Sequence, residues 1–455
     1  MKTITTINPA NNQVLMEYNL HTQEEVDKIL EETEKAYFIN RKTSFGTRSA
    51  LMNKAAELLE ERKDILAETM TSEMGKTYLS AQSEVEKCAW VCRYYADNAK
   101  QFLADEMVDS DASKSYISYQ PLGVVLAVMP WNYPLWQVFR FAAPALMAGN
   151  TVLLKHASNV PGSALEIEKI FLDAGFPKYS FSTLLIPSDA VNDILENNIV
   201  KAATLTGSGP AGQAVASTAG ENIKKTVLEL GGSDPYLILA DADLDHAAEQ
   251  CATSRLLNAG QSCIGAKRFI VVEKVYDSFL QKFKDKLSSA MMGDPMQAVV
   301  LGPMARYDLR DEVHQQVVDS VSKGAKLLLG GTIPDSDGAY YPPTLLTNVS
   351  QGMPAYDDEI FGPVASVIKV KDEKEAIRVA NDTEFGLGSC VFTQDIERGE
   401  RIAREEIEAG CCFVNHFVKS DPRLPFGGIK TSGYGRELSY YGIREFVNIK
   451  TVYVK

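Results

Sequence analysis

The chain has 455 residues, enough for two or three packed domains at roughly 100 to 200 residues each, and its 45% hydrophobic and 23% charged content excludes disorder, a collagen-like repeat and a coiled coil. Lys plus Arg number 46 against 60 Asp plus Glu, a net charge of −14 with a pI near 5.0. That field repels polyanions and argues against a nucleic-acid partner, while placed cationic groups in a cleft can still hold a small anion.

The N-terminal MKTITTINPANNQ has no apolar signal region, and no apolar run approaches the ~18 residues of a bilayer span, so the expected location is cytoplasmic with no membrane partner. The first hundred residues read as helices. Thr22 with Glu25 forms a capping box ahead of Val26, Ile29 and Leu30, and amphipathic stretches follow at about 47 to 73 and 79 to 104. Residues 114 to 120 then alternate polar and apolar side chains, as does the C-terminal VNIKTVYVK. These two half-exposed strands can pair with each other and present an edge to a second subunit, which predicts an oligomerisation ribbon.

From residue 124 short apolar strands alternate with helices: VVLAVMP, a helix at 134 to 148, TVLLKHA, a helix at 161 to 174, AATLT, a helix at 210 to 219, and KTVLEL. The alternation resumes after 233 with PYLILA, a helix from 243, RFIVVE, a helix from 276, ASVIKV, a helix from 372, SCVFT, a helix from 395, and CCFVN. Strand and helix alternation predicts parallel βαβ units covered on both faces. The length suits two successive α/β domains, with the break near Gly231-Gly232.

Three motifs stand at strand ends. Gly207-Ser208-Gly209-Pro210-Ala211-Gly212 matches G-x-G-x-x-G between a strand and a helix, where backbone N–H groups can bind a pyrophosphate and Glu229 can take the ribose. Asn258-Ala-Gly-Gln-Ser-Cys263 puts a cysteine in a small-residue loop, a setting that suits either a nucleophile or plain packing. Pro130-Trp131-Asn132-Tyr133-Pro134 ends a strand in a fixed turn whose Asn amide can donate to an oxyanion. The seven cysteines contain no CxxC pair and no histidine cluster, which argues against a disulfide framework or a metal site and for a reducing cytosol. Cys88 and Cys92 read as core, and Cys411 and Cys412 as packing.

Taken together, NAGQSC, LELGGSDP, MPWNYP, LTGS, EIFGPV at 359 to 364, PFGG and SGYGRE near 425 to 437 resemble the aldehyde dehydrogenase superfamily in order and spacing over nearly the whole chain. The resemblance implies an aldehyde dehydrogenase-like fold of two doubly wound parallel-sheet domains plus the β ribbon. A cofactor-binding domain of 1–112 and 122–230, a catalytic domain of 231–435, and a ribbon and C-terminal segment of 113–121 and 436–455 are expected. It makes Cys263 the nucleophile, Asn132 the oxyanion donor and Glu229 the base that activates water, displacing the ribose reading of Glu229. Trp131, Lys155, Ser158, Gly207, Ser208, Leu230, Glu359 and Phe361 are then expected around the cofactor.

Relatives that prefer NAD carry an acidic residue where this chain has Ser158. A hydroxyl there, with Lys155 nearby, accepts a 2′-phosphate, so NADP is expected and NAD should bind more weakly. Arg140 stands where relatives acting on succinate semialdehyde hold the substrate carboxylate, with Ser420 as a second donor, although an ion pair to a protein carboxylate is the competing use of a buried guanidinium. Leu257 replaces a second arginine found in some of those relatives. The expected reaction is oxidation of succinate semialdehyde to succinate by a homodimer or homotetramer. A broader aldehyde specificity, a CoA-acylating route and a non-catalytic protein on the same fold are the alternatives.

Overall fold

The computed structural model describes residues 2–455. The chain opens on a hairpin of β1 (Thr3–Ile7) and β2 (Val14–Asn19), followed by helices α1 (Gln23–Asn40), α2 (Phe45–Glu61), α3 (Lys63–Met74) and α4 (Tyr78–Phe102). The hairpin corrects the all-helical expectation: most of its side chains are exposed, so it carries no apolar alternation to read. The stretch expected as one helix at 47 to 73 is two, broken at Arg62 (φ −99°, ψ 14°). The capping box at Thr22 and Glu25 is present, and Cys88 and Cys92 are buried in the core under α4.

After β3 (Glu106–Met107) and β4 (Lys114–Pro121) come β5 (Val124–Met129), α5 (Trp136–Ala148), β6 (Thr151–His156), α6 (Pro161–Asp173), β7 (Phe181–Thr183), α7 (Val191–Glu196), β8 (Val200–Thr206), α8 (Gly209–Glu221) and β9 (Lys225–Glu229). The second half holds β10 (Pro235–Ile238), α9 (Leu244–Leu256), β11 (Arg268–Val272), α10 (Tyr276–Ser288), α11 (Tyr307–Ser322), β12 (Lys326–Leu329), β13 (Thr344–Thr347), α12 (Pro354–Asp357) and β14 (Val364–Val370). It closes with α13 (Glu373–Asn381), β15 (Gly388–Phe392), α14 (Ile396–Arg401), β16 (Cys411–Val414), β17 (Gly433–Tyr434), α15 (Ser439–Arg444) and β18 (Val447–Val454).

Two sheets of like winding result. The first runs β17-β9-β8-β5-β6-β7 and the second β12-β13-β14-β11-β10-β15-β16, with every pairing parallel except those of β17 and β12. In the first sheet the order reverses between β5 and β8, and ligands of open parallel sheets bind at such a switch, beyond the strands' C-terminal ends. Those ends lead directly into Trp131-Asn132 and Gly207-Ser208, while β9 delivers Glu229. β17 returns residues 433–434 to the first sheet's edge, pairing Gly433 with Glu229.

The third sheet, β18-β4-β3, contains the expected ribbon: β4 and β18 pair antiparallel from Val447↔Pro121 to Val454↔Lys114. No helix among the described residues is long and apolar enough to cross a membrane.

Candidate active site

Cys263 lies ahead of β11, at the N-terminal edge of the second sheet, and faces the C-terminal edge of the first. Between α9 and this cysteine the chain reverses through three successive left-handed residues, Asn258 (φ 54°), Ala259 (φ 52°) and Gly260 (φ 75°). Left-handed backbone is unfavourable for residues with a Cβ, so such a turn needs support. Asn258 supplies it: its Nδ2 donates to the Asn132 carbonyl at 2.8 Å and the Gln261 carbonyl at 3.2 Å, and its own carbonyl accepts from Gln261 Nε2 at 3.1 Å. A side chain on Gly260 would collide with the Gly362 carbonyl.

Beyond the turn, the buried Lys267 Nζ donates to the Ser262 carbonyl at 2.8 Å and the Cys263 carbonyl at 2.7 Å and pairs with Glu359 Oε1 at 3.1 Å. Glu359 Oε1 also accepts from the Gly232 N–H at 3.1 Å. One ammonium thus ties the cysteine loop to the EIFG segment.

The half-buried Cys263 thiol is pushed up to about 12 by burial, against the pull of Arg140 and Lys267 and with Glu359 and Glu229 adding to the rise. Glu229 is buried at the end of β9, and neither carboxyl oxygen has a partner among the described residues. Burial raises its pKa well above the carboxylate range, Glu437 raises it further, and Arg140 and Arg436 oppose the shift. A Cβ on Gly427 would sit 2.7 Å from Glu229 Oε1, so the glycine leaves that oxygen its space.

Arg140, fully buried on α5, forms an ion pair with Glu437, reaches Thr206 Oγ1 at 3.4 Å through Nη2 and lies 4.7 Å from the Phe426 ring centroid. The protein carboxylate partner expected as the competing use of this guanidinium is thus present, while Nη1 stays uncommitted and open to a substrate carboxylate. Asn132 is also engaged, its Nδ2 donating to the Gln261 carbonyl at 3.1 Å while Oδ1 has no partner.

At the cofactor end, Lys155 is buried at the end of β6, its Nζ donates to Ser188 Oγ at 3.2 Å, and burial lowers its pKa. Ser158 is exposed, and with Asn159 it lines a cleft of about 620 Å³ shared with the β1–β2 hairpin, Arg306 and Asp308. Both amide atoms of Asn159 are buried without a partner. Ser208 begins α8 with its hydroxyl free of any capping bond, and the Gly207 N–H donates to the Glu229 carbonyl at 3.0 Å. A Cβ on Gly209 would meet open space, whereas one on Gly212 would lie 2.6 Å from Leu230 Cδ2. Trp131 meets Phe361 edge to face at 5.8 Å, with Lys267 Nζ 5.9 Å from the same ring centroid.

At the far end, the buried Ser420 accepts from Lys87 Nζ at 2.8 Å. Sequence reasoning missed Lys87, Lys267 and Glu437. Glu437 stands inside the SGYGRE motif and Lys267 four residues after Cys263, so position alone could have flagged both; Lys87 sits in mid-helix with no local signal.

The sequence model of the aldehyde dehydrogenase family matches residues 1–452. A probable NADP-dependent succinate-semialdehyde dehydrogenase of Synechocystis is 51% identical over 99% of both chains, and an NADP-dependent succinate-semialdehyde dehydrogenase of Mycobacterium avium is 51% identical over 99% of this chain and 96% of its own. The crystal structure of succinic semialdehyde dehydrogenase from Streptococcus pyogenes with NADP+ superimposes with a TM-score of 0.97 at 40% identity, covering 99% of each chain.

Proposed function

The chain belongs to the aldehyde dehydrogenase family, and on that premise we propose that it oxidises succinate semialdehyde to succinate with NADP as the hydride acceptor. The meeting of a half-buried thiol with an unpartnered buried carboxyl, between the edges of the two sheets, carries this reading. The Cys263 thiol passes its proton to solvent water and the thiolate attacks the aldehyde carbon, forming a C–S bond as the C=O π pair moves onto oxygen to give an oxyanion. The Cys263 N–H and the Asn132 side-chain amide hold that oxygen, Asn132 exchanging its bond to the Gln261 carbonyl for the charged acceptor.

When bound, NADP+ would supply the acceptor for the hydride of that carbon, and Cys263 would then hold the acyl group as a thioester. Glu229 then removes a proton from water, the hydroxide adds to the thioester, the C–S bond breaks and succinate leaves. A base for water is what hydrolysis needs and transfer to CoA does not, which favours the free acid as product.

Residues of this chain fit the cofactor. Ser158, Lys155 and the orphaned amide of Asn159 offer neutral and cationic donors for a 2′-phosphate with no acidic residue at position 158. The α8 N-terminus with Ser208 suits the pyrophosphate, and Trp131, Leu230, Glu359 and Phe361 surround the nicotinamide end. The cofactor unit is 1–112 with 122–230, and the chemistry is supplied by 231–435. A homo-oligomer in the cytoplasm completes the proposal, since a free Cys263 needs reducing surroundings.

The test is kcat/KM for succinate semialdehyde, butanal and benzaldehyde, each with NADP and NAD. The highest value is expected for succinate semialdehyde with NADP, and equal turnover of benzaldehyde, or preference for NAD, would refute the corresponding half. Ser158→Glu should reverse the cofactor preference by placing a carboxylate against the 2′-phosphate.

A further inference from the structure

A helix presents free N–H groups at its start, and a buried start needs an acceptor for them. α5 has no capping bond of its own: Leu135 stands at the N-cap, and Tyr133 and Pro134 precede it. Asn132, the one side chain of capping type nearby, is turned to the Gln261 carbonyl instead. The acceptor comes from another helix. Glu84, buried in α4, takes the N–H groups of Leu135 and Trp136 on Oε1 at 2.9 Å each. Its other oxygen, Oε2, is paired with the equally buried Lys76. The carboxylate thus lies where the positive end of the α5 dipole favours it, with its charge balanced by one ammonium.

The residues between β5 and α5 are held one after another. The Asn132 carbonyl accepts from Asn258 Nδ2 at 2.8 Å, and the Tyr133 ring centroid lies 4.0 Å from Lys76 Nζ. The Pro134 carbonyl accepts from His156 Nε2 at 2.9 Å. His156 Nδ1 accepts from the Ala157 N–H at 2.9 Å, and burial lowers the histidine pKa to about 4, so this imidazole is neutral with its proton on Nε2. Glu84 then holds the next two residues. It is the only anion in the series, and a carboxylate accepts N–H groups more strongly than a neutral oxygen does. Lys76 serves twice, as the counter-ion of Glu84 and as the cation over Tyr133.

We propose that Glu84 is a positioning residue for the reaction: by capping α5 it sets where the Asn132 amide points, and Lys76 balances its charge. This rests on the reading of Asn132 as the oxyanion donor. That reading asks the amide to leave the Gln261 carbonyl for the charged oxygen while the backbone beneath it stays still. Groups in such a role must be held to within about 0.5 Å, and the α5 end of the turn is where Glu84 does so.

The experiment is a double-mutant cycle on the full chain with succinate semialdehyde at saturating NADP, with melting curves and NADP binding by fluorescence titration. Glu84→Met with Lys76→Met removes cap and counter-ion together, giving an uncapped chain that strands no buried charge. Glu84→Gln with Lys76→Met gives a neutral-capped chain that keeps an acceptor oxygen for the two N–H groups. Loss of an oxyanion donor costs about 100- to 1,000-fold in kcat, so the uncapped chain should lose at least about 30-fold in kcat while KM and NADP affinity stay within about threefold. The neutral-capped chain should keep kcat within about fivefold, since the acceptor remains. In an Asn132→Ala background, uncapping should cost less than about threefold more, because the group it positions is gone. A tie that only supports the fold would lower kcat by the same factor in both backgrounds. That result overturns the proposal, as does an undiminished kcat in the uncapped chain or a neutral-capped chain as slow as the uncapped one. If the uncapped chain does not melt cooperatively, Glu84→Asp decides, since it keeps the charge and draws the carboxylate back by one methylene. A loss of at least about fivefold with Asn132 present and less than about twofold in its absence supports the role, and equal losses overturn it. Asn132→Ala with kcat within about threefold of the native value refutes the oxyanion reading itself. A slow Asn132→Ala beside a fully active uncapped chain refutes only the role of Glu84.

Discussion

At the scale of single residues, the space behind Cys263 holds two buried carboxyls, the buried Arg140 guanidinium and, more exposed, Arg436, and this sharing sets a pH dependence. Glu229 is pushed up first by burial and then by Glu437, so it holds its proton over more of the pH range and acts as a base only above its raised pKa. The hydrolytic rate should therefore rise with pH. Glu437→Gln removes a negative neighbour and leaves Arg140 facing Glu229 alone, and both changes lower the Glu229 pKa. The rising limb of kcat should move to lower pH by about one unit in a profile from pH 6 to 10, and a limb that stays or moves upward would refute the coupling. Cys263 follows the same logic with another partner. Lys267 pulls the thiol down from its burial-raised value, so Lys267→Met should raise it and slow iodoacetamide alkylation at pH 8 by roughly tenfold. The motifs NAGQSC, LELGG and PWN brought Cys263, Glu229 and Asn132 to notice in the sequence because each is a local string. An ion pair for Arg140 was legible as an alternative use, but Lys87 and the identity of that carboxylate, Glu437, were not, because their meaning lies in partners far along the chain: Ser420 for Lys87, and Glu437 for Arg140.

At the scale of elements, the turn at 258–260 decides where the thiol sits. Its three left-handed residues and the closeness of Gly260 to the Gly362 carbonyl leave no room for a side chain at 260. Gly260→Ala imposes backbone strain of about 1–3 kcal/mol plus a collision, and relief requires the loop to shift away from β14. Activity should fall at least 100-fold, with a lower melting temperature and intact NADP binding by fluorescence titration. The same scale explains what could be read in advance. Most central strands of both sheets were legible as short apolar runs because parallel strands are buried on both faces, whereas the three-residue β7 and two-residue β17 are too short to show a run. β12, β13 and α11 were not read: α11 buries only Val313, Val317 and Ser320, too few to mark a helical stripe, and β12 is half exposed at the sheet's edge. The break between α2 and α3 escaped notice because Arg62 carries no breaker signal and the apolar spacing runs on through it.

At the scale of the whole molecule, the two like-wound sheets are inside the protein while the third sheet is not. Pairing of β4 with β18 was legible because both segments alternate polar and apolar residues, although β18 is exposed on both faces along most of its length. What the alternation did not disclose is how much apolar surface remains: on β18, Ile449 is 63% and Tyr453 49% exposed, and beyond the opposite edge strand Val108 is 46% exposed. An eight-residue edge strand with open backbone groups and apolar side chains invites pairing with another chain unless one is already there. A homo-oligomer joined through this sheet satisfies that edge. Ile449→Lys with Tyr453→Lys places like charges on it, which is how natural sheets block association. Light scattering after gel filtration should then show the proposed dimer or tetramer replaced by a smaller species, while the doubly substituted chain keeps its near-ultraviolet dichroism. An unchanged molar mass would mean that the subunits meet elsewhere. A wild type that is already monomeric would mean that the edge is left open in solution and that the charge of −14 on each chain is enough to keep copies apart.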